Sequence, residues 1–295
     1  MGLVRRSKAK GCSLIDTVLR IGRSAVAIVK RAPVTIGYLV ALVGVSVMVE
    51  TLDEHTRARL IAHASTNLHN LTHGRFSVLV SSAFVTDGGP DWILYPLLAA
   101  VLIAAELLVR HRSLVRAFDL GHLGATLIVA AGLLLAVRSG WISTSVMTET
   151  DVGVSYGAAA VLGAITGALP VRWRATWATA LVVAAVSGVA LGRSFTDVGH
   201  LVALCLGLVI ALTIPGLRTA RPIGAGTVVM LSVAIVFALA IFGGNAEPEW
   251  AAPAFAVTAA VTAATATRVT VRAADWSTGV AALARRDRAM ISATT

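Results

Sequence analysis

Apolar runs of about 20 residues, separated by short polar segments, recur along most of this chain, and that pattern leaves few folds open. They occupy roughly Val34–Leu52, Trp92–Val109, Leu120–Val137, Val152–Pro170, Thr176–Gly192, Val198–Pro215, Ile223–Gly243 and Ala251–Thr267, the last being the weakest because it is rich in Ala and Thr. A helix of that length crosses the hydrocarbon core of a bilayer, since every backbone group bonds within its own segment. Composition agrees: 57% of the 295 residues are hydrophobic, 14% are charged, and the mean hydropathy is +0.82. Soluble domains carry roughly 25% charged residues. The expected fold is therefore all-α, a polytopic transmembrane helix bundle with no large soluble domain.

Charge placement tests the number of spans independently. With the N-terminus in the cytoplasm, inner segments hold 20 Lys and Arg residues, from Arg5 through Arg110, Arg172 and Arg218 to Arg288, and outer segments hold five: Arg57, Arg59, Arg75, Arg138 and Arg193. That is the direction of the positive-inside rule, and adding or dropping one span destroys it. Both termini are expected in the cytoplasm of a bacterial cell, with the chain in the plasma membrane. The formal charge of +10 sits at the ends of apolar runs, so it encodes topology and argues against a nucleic-acid partner. Cys12 and Cys205 fall in different compartments, and no disulfide framework is expected. Four regions follow: a basic amphipathic leader (1–33), six spans with a long outer loop at 53–91 (34–215), two further spans (216–272) and a cytoplasmic tail (273–295). In the leader, Ile15, Val18, Leu19, Gly22, Val26 and Val29 repeat at helical spacing, which suits an anionic membrane surface. Arg20 and Arg23 interrupt it, unlike a cleavable signal.

The outer loop is far longer than helix–helix links usually are. It combines an Arg- and His-bearing helical stretch with a short apolar piece, Val78–Val85, expected to dip into the interface. His69 and His73 stand four apart, as metal ligands on a helix do, but no Cys or carboxylate accompanies them at a recognised spacing, and no metal is expected. Within the spans, ionisable residues are costly and draw attention. Glu106 is expected to pair with Arg110 one turn on, Glu50 to reach the outer surface, and His122 to be a satisfied residue at the inner interface.

Two helix starts stand out. The fourth span opens Asp151-Val152-Gly153-Val154-Ser155-Tyr156-Gly157, and the sixth opens Asp197-Val198-Gly199-His200-Leu201, both from the outer side. Ser155 and His200 are thus at matched depth. Gly153, Gly157, Gly163 and Gly167 on one helix and Gly199, Ala203 and Gly207 on the other permit close backbone approach. Close approach allows a hydroxyl and an imidazole to share a proton as nucleophile and base. It equally allows two small-residue helices simply to pack, with Ser and His bonding across them.

These residues resemble the rhomboid intramembrane serine proteases, and in particular the divergent rhomboid-like proteins of high-GC bacteria. Gly153-Val154-Ser155 is similar to the start of that family's Gly-x-Ser-Gly motif, and Gly199-His200 with Ala203 and Gly207 is similar to its His-bearing motif on the sixth span. The resemblance extends from about Val34 to Pro215 and includes Phe76–Phe84 of the first loop and Glu106 at the end of the second span. It implies a six-helix core, a Ser155/His200 dyad, hydrolysis of a peptide bond in a membrane-anchored protein, and no metal or organic cofactor. Asp197 is a candidate to orient His200, and Gly153, Gly157 and Tyr156 are motif positions. The chain also departs from the family. Tyr156 replaces a glycine, Ala159 an aromatic residue, and Pro90 and Leu94 fall where the second span offers His and Asn to an oxyanion. The alternative expectation is an inactive rhomboid-like protein that binds transmembrane helices. A transporter is disfavoured, for neither inverted repeats nor paired broken helices are evident.

Overall fold

A computed structural model describes residue 27 and residues 29–87, 92–214 and 225–243, and the described residues form helices without strands. The amphipathic leader stripe, Pro90, the eighth apolar run and the tail lie outside them, Val29 excepted. Among the described residues, four helices are long and apolar enough to cross a membrane: α1 (Pro33–Glu50), α6 (His111–Arg138), α8 (Val171–Gly192) and α9 (Phe195–Thr213). Three apolar helices are shorter: α5 (Leu94–Val109), α7 (Ser155–Ala168) and, as its last 16 residues, Val228–Gly243 of α10 (Ala225–Gly243). The protein is thus a multi-pass helical membrane protein. Exposed Trp92, Trp141 and Trp173 sit near helix ends, as interfacial tryptophans do.

Helix ends show why the chain breaks where it does. Pro33 opens α1, its fixed φ suiting the first helical position. No side chain of α1's own entry caps it. Instead Glu106, buried at the inner end of α5, accepts from the backbone N–H groups of Val34 (3.1 Å) and Thr35 (2.8 Å). It also bonds the ring of His111. The expected partner, Arg110, has φ +73°, which breaks the helix between α5 and α6 and removes Arg110 from the i+4 register. Asp53 caps α2 (Glu54–Ala64) through Thr56 N–H, and Asn67 caps α3 (Leu68–Thr72) through Asn70 N–H. Glu50 meets Arg57 at 3.3 Å on an exposed surface, a contact worth little on its own.

The third span begins at His111 rather than near Leu120, so α6 runs 28 residues and its first turns carry Arg112, Arg116 and Asp119. That extension moves His122 from the inner interface into the bundle, where it is buried. The short apolar piece of the long loop forms α4 (Val78–Ser81) and packs alongside α1. The Tyr38 hydroxyl donates to the carbonyl of Ala83 at 2.6 Å, and Tyr38 lies twelve residues, about 18 Å of helix, in from the outer end of α1.

Helix α7 is the centre of the bundle, with nearly every side chain buried. It packs most closely on α9 and α6, and also holds α5 and α8. Glycine makes the closest approaches possible. A Cβ at Gly207 of α9 would come within 2.0 Å of the Ala160 carbonyl oxygen, and one at Gly163 within 2.6 Å of the Leu204 oxygen.

Candidate functional site

The turn into α7 is a knot of loop contacts. Asp151 N–H donates to Ser65 Oγ (2.8 Å), and Thr66 N–H donates to the Asp151 carbonyl (2.9 Å). Gly153 N–H donates to the Ser82 carbonyl (2.8 Å). Gly153 has φ +119°, a conformation that L side chains rarely adopt, so this motif glycine is required by the backbone itself. Three ties therefore fasten the outer loop to the start of α7, where Ser155 is the first helical residue.

At 100° per residue, Tyr156, Ala160, Gly163 and Gly167 share one stripe of α7. Contacts confirm that this stripe faces α9: Tyr156 against Gly199, Ala160 against Gly207, Gly163 against Leu204 and Gly167 against Ala211. Ser155 lies about 100° off it. The residue that meets the histidine helix is therefore Tyr156, whose ring stands edge-on to His200 with centroids 5.4 Å apart. A Cβ at Gly199 would lie 2.3 Å from the phenol carbon and oxygen of Tyr156, so Gly199 makes room for that phenol.

His200 is buried, 5% exposed, and among the described residues neither ring nitrogen has a hydrogen-bond partner. The hydrogen bond expected from Ser155 to His200 is absent. On its other side His200 meets Phe242 of α10, ring centroids 6.1 Å apart. Asp197, one turn before His200, uses its carboxylate at the start of α9, where it accepts from Ser194 N–H (3.1 Å) and Ser194 Oγ (2.9 Å) in a capping box. No bond joins it to either nitrogen of His200. Gly157 receives the ring of Phe118 from α6, a packing role. Leu94, the one oxyanion position among the described residues, is an apolar side chain at the start of α5. Tyr95 beside it bonds Ser46 (2.6 Å) and Thr86 (3.1 Å).

A second serine–histidine pair, with no signature in the sequence pattern, does bond. Ser82 Oγ lies 3.1 Å from His122 Nε2, and both residues are buried. Ser82 is fully enclosed, so the pair fastens α4 to α6 rather than presenting a nucleophile. Next to it an apolar cavity of ≈ 360 Å³ runs between α1, α4 and α6, lined among others by Tyr38, Val80, Phe84, Val115, Phe118 and His122. In the long loop, the rings of His69 and His73 lie with centroids 4.2 Å apart and planes tilted by 37°, and His73 Nδ1 is engaged by the His69 carbonyl.

Comparison with known proteins gives one match. The sequence model of a family described as rhomboid-like protein matches residues 27–220, well over half of the chain. No curated protein and no solved structure matches it.

Proposed function

This chain belongs to the rhomboid-like protein family, and we propose that it serves there as a non-hydrolytic member that binds transmembrane helices within the bilayer. The observation that carries the reading is the contact between Tyr156 and the α9 surface at Gly199 and His200. Where a hydrolase needs a hydroxyl against the imidazole, this chain puts a phenol ring. The serine is turned a third of a helical turn away, and among the described residues the nitrogens of His200 have no hydrogen-bond partner. The small residues of α7 and α9 are spent on each other. The small-residue face left open is on α1, where Gly37, Ala41 and Gly44 are exposed and among the described residues no neighbour lies against either glycine, the spacing that favours close helix contact. The setting is the bacterial plasma membrane, with both termini on the cytoplasmic side, as the distribution of Lys and Arg supports.

A second reading is favoured by a specific observation. Gly153, Ser155, Gly199 and His200 stand jointly at the starts of α7 and α9, the most closely packed helices of the bundle. In that reading Ser155 is the nucleophile and His200 the base of a rhomboid-type endopeptidase. A reconstitution experiment decides between them. Single-pass reporter proteins are placed in vesicles with the purified chain, then crosslinked and resolved by mass. The helix-binding reading predicts intact reporters trapped on the chain. Cleavage that disappears in Ser155→Ala would replace it with the protease.

A further inference from the structure

The cavity between α1, α4 and α6 takes no part in the contact between α7 and α9, and its lining states what it can hold. Its volume, ≈ 360 Å³, is that of a small-ligand pocket. Two of the polar groups on its wall are turned to partners of their own: the Tyr38 hydroxyl donates to the Ala83 carbonyl, and His122 Nε2 meets Ser82 Oγ. What faces the space is mostly hydrocarbon, from Val80, Phe84, Val115, Phe118 and Leu123. Val80 and Val115 are exposed, so the cavity opens sideways on the surface of the bundle. One end of it is strongly basic. Glu106 ties the start of α1 to His111 at the start of α6. Lys30 and Arg31, just before α1, therefore come to the same end as Arg110, Arg112 and Arg116. All five are exposed, and among the described residues the ion pairs engage Arg57 and His111 and none of these five. Arg112, Val115, Asp119 and His122 follow at three- and four-residue spacing, so Arg112 shares the face of α6 that lines the cavity. No side chain of its own entry caps α6, and a helix start of that kind favours an anion.

We propose that this cavity is a lipid site, which takes one acyl chain of an anionic phospholipid and holds its phosphate with Arg112 and Arg116 at the start of α6. Lys30 and Arg31 add to the attraction at the same end. An apolar slot alone accepts any tail, and a basic rim alone accepts any anion. Side by side, they select a molecule that carries both. Asp119 is the one carboxylate of the lining, and it stands seven residues, about 10 Å, along α6 from Arg112. The phosphate therefore sits at the level of Arg112, and the tail runs past Asp119 toward Phe84 and Tyr38. The proposal goes beyond the helix-binding reading and does not depend on it, since neither Ser155 nor His200 lines the cavity.

The test uses the full chain in phosphatidylcholine vesicles that carry a minority of phosphatidylglycerol with a photoactivatable diazirine on one acyl chain. Adducts are mapped by mass spectrometry. They are expected on Val80, Phe84 and Val115, and the same diazirine carried on phosphatidylcholine is expected to label these residues about tenfold less. Val115→Trp, at an exposed position that leaves the core untouched, fills the slot and is expected to remove the labels. Arg112→Ala with Arg116→Ala keeps the slot and is expected to lower labelling by phosphatidylglycerol about tenfold, to the level of phosphatidylcholine. Equal labelling by the two lipids, adducts spread over the exposed faces of α8 and α9, or a Val115→Trp chain labelled like wild type would each overturn the proposal. Two competitors complete it. Soluble glycerol phosphate is expected to leave the labels in place, and loss of the labels to it would make the site one for a free anion. A single-pass reporter protein that removes the labels and crosslinks to Val80 and Val115 itself would replace the lipid with a helix.

Discussion

Replacing Glu106 by alanine should unfasten the inner end of the bundle. The carboxylate is 2% exposed and accepts from Val34 N–H at 3.1 Å and Thr35 N–H at 2.8 Å, both in the first turn of α1. Those donors have no partner within their own helix. In an apolar interior neither finds water when the acceptor is removed, and each hydrogen bond to a charged group is worth about 1.5–3 kcal/mol. Two such bonds give a loss of about 3–6 kcal/mol, to which the favourable placement of a negative charge at a helix N-terminus adds a few tenths. Glu106→Gln keeps one acceptor and should lose about half as much. The assay is reversible unfolding in mixed micelles, followed by the exchange of α1 amides. A Glu106→Ala chain within about 0.5 kcal/mol of wild type, with α1 amides equally protected, would refute the assignment of Glu106 as the cap of α1.

Other outcomes follow from particular contacts. Gly207→Leu puts side-chain atoms where even a Cβ lies 2.0 Å from the Ala160 carbonyl oxygen, so α7 and α9 must separate; a cost of about 3 kcal/mol or more is expected as a lowered melting temperature in detergent. Ser82→Ala removes the bond to His122 and should cost about 1–3 kcal/mol, seen as faster proteolysis of the segment between α4 and α5. Burial raises the carboxyl pKa of Asp151 above its ordinary 3.8 despite the bond from Thr66. Folding therefore favours its neutral form more than the unfolded chain does, and the associated stability is present at low pH and lost as pH rises through the raised value. Asp151→Asn should therefore match wild type in acid and surpass it progressively as the pH rises, in thermal melts across a pH series.

Hydropathy made the helical bundle readable in the sequence, because span length is a one-dimensional property. The neighbourhood of the two helix starts was readable too, although α7 begins at Ser155 and α9 at Phe195 rather than at Val152 and Val198, which places Ser155 and His200 at unequal positions in their helices. Their mutual orientation was not readable. Ser155 and Tyr156 are neighbours separated by a third of a helical turn, and which of them faces α9 depends on how α7 and α9 dock. Gly163, Gly167 and Gly207 fix that docking, and their contacts exist only in three dimensions. The same limit applies to Glu106, whose backbone donors lie 71 and 72 residues away, and to His122, whose partner Ser82 lies 40 away. Arg110 misled the i+4 expectation because a left-handed backbone at one residue resets the helical register.

The central claim is that the hydroxyl of Ser155 is not activated by His200. Fluorophosphonate treatment of the purified chain in vesicles, followed by mass spectrometry of the peptide containing Ser155, measures this directly. The account predicts an unmodified Ser155, with wild type, Ser155→Ala and His200→Ala behaving alike. An adduct on Ser155 that is lost in His200→Ala would contradict it.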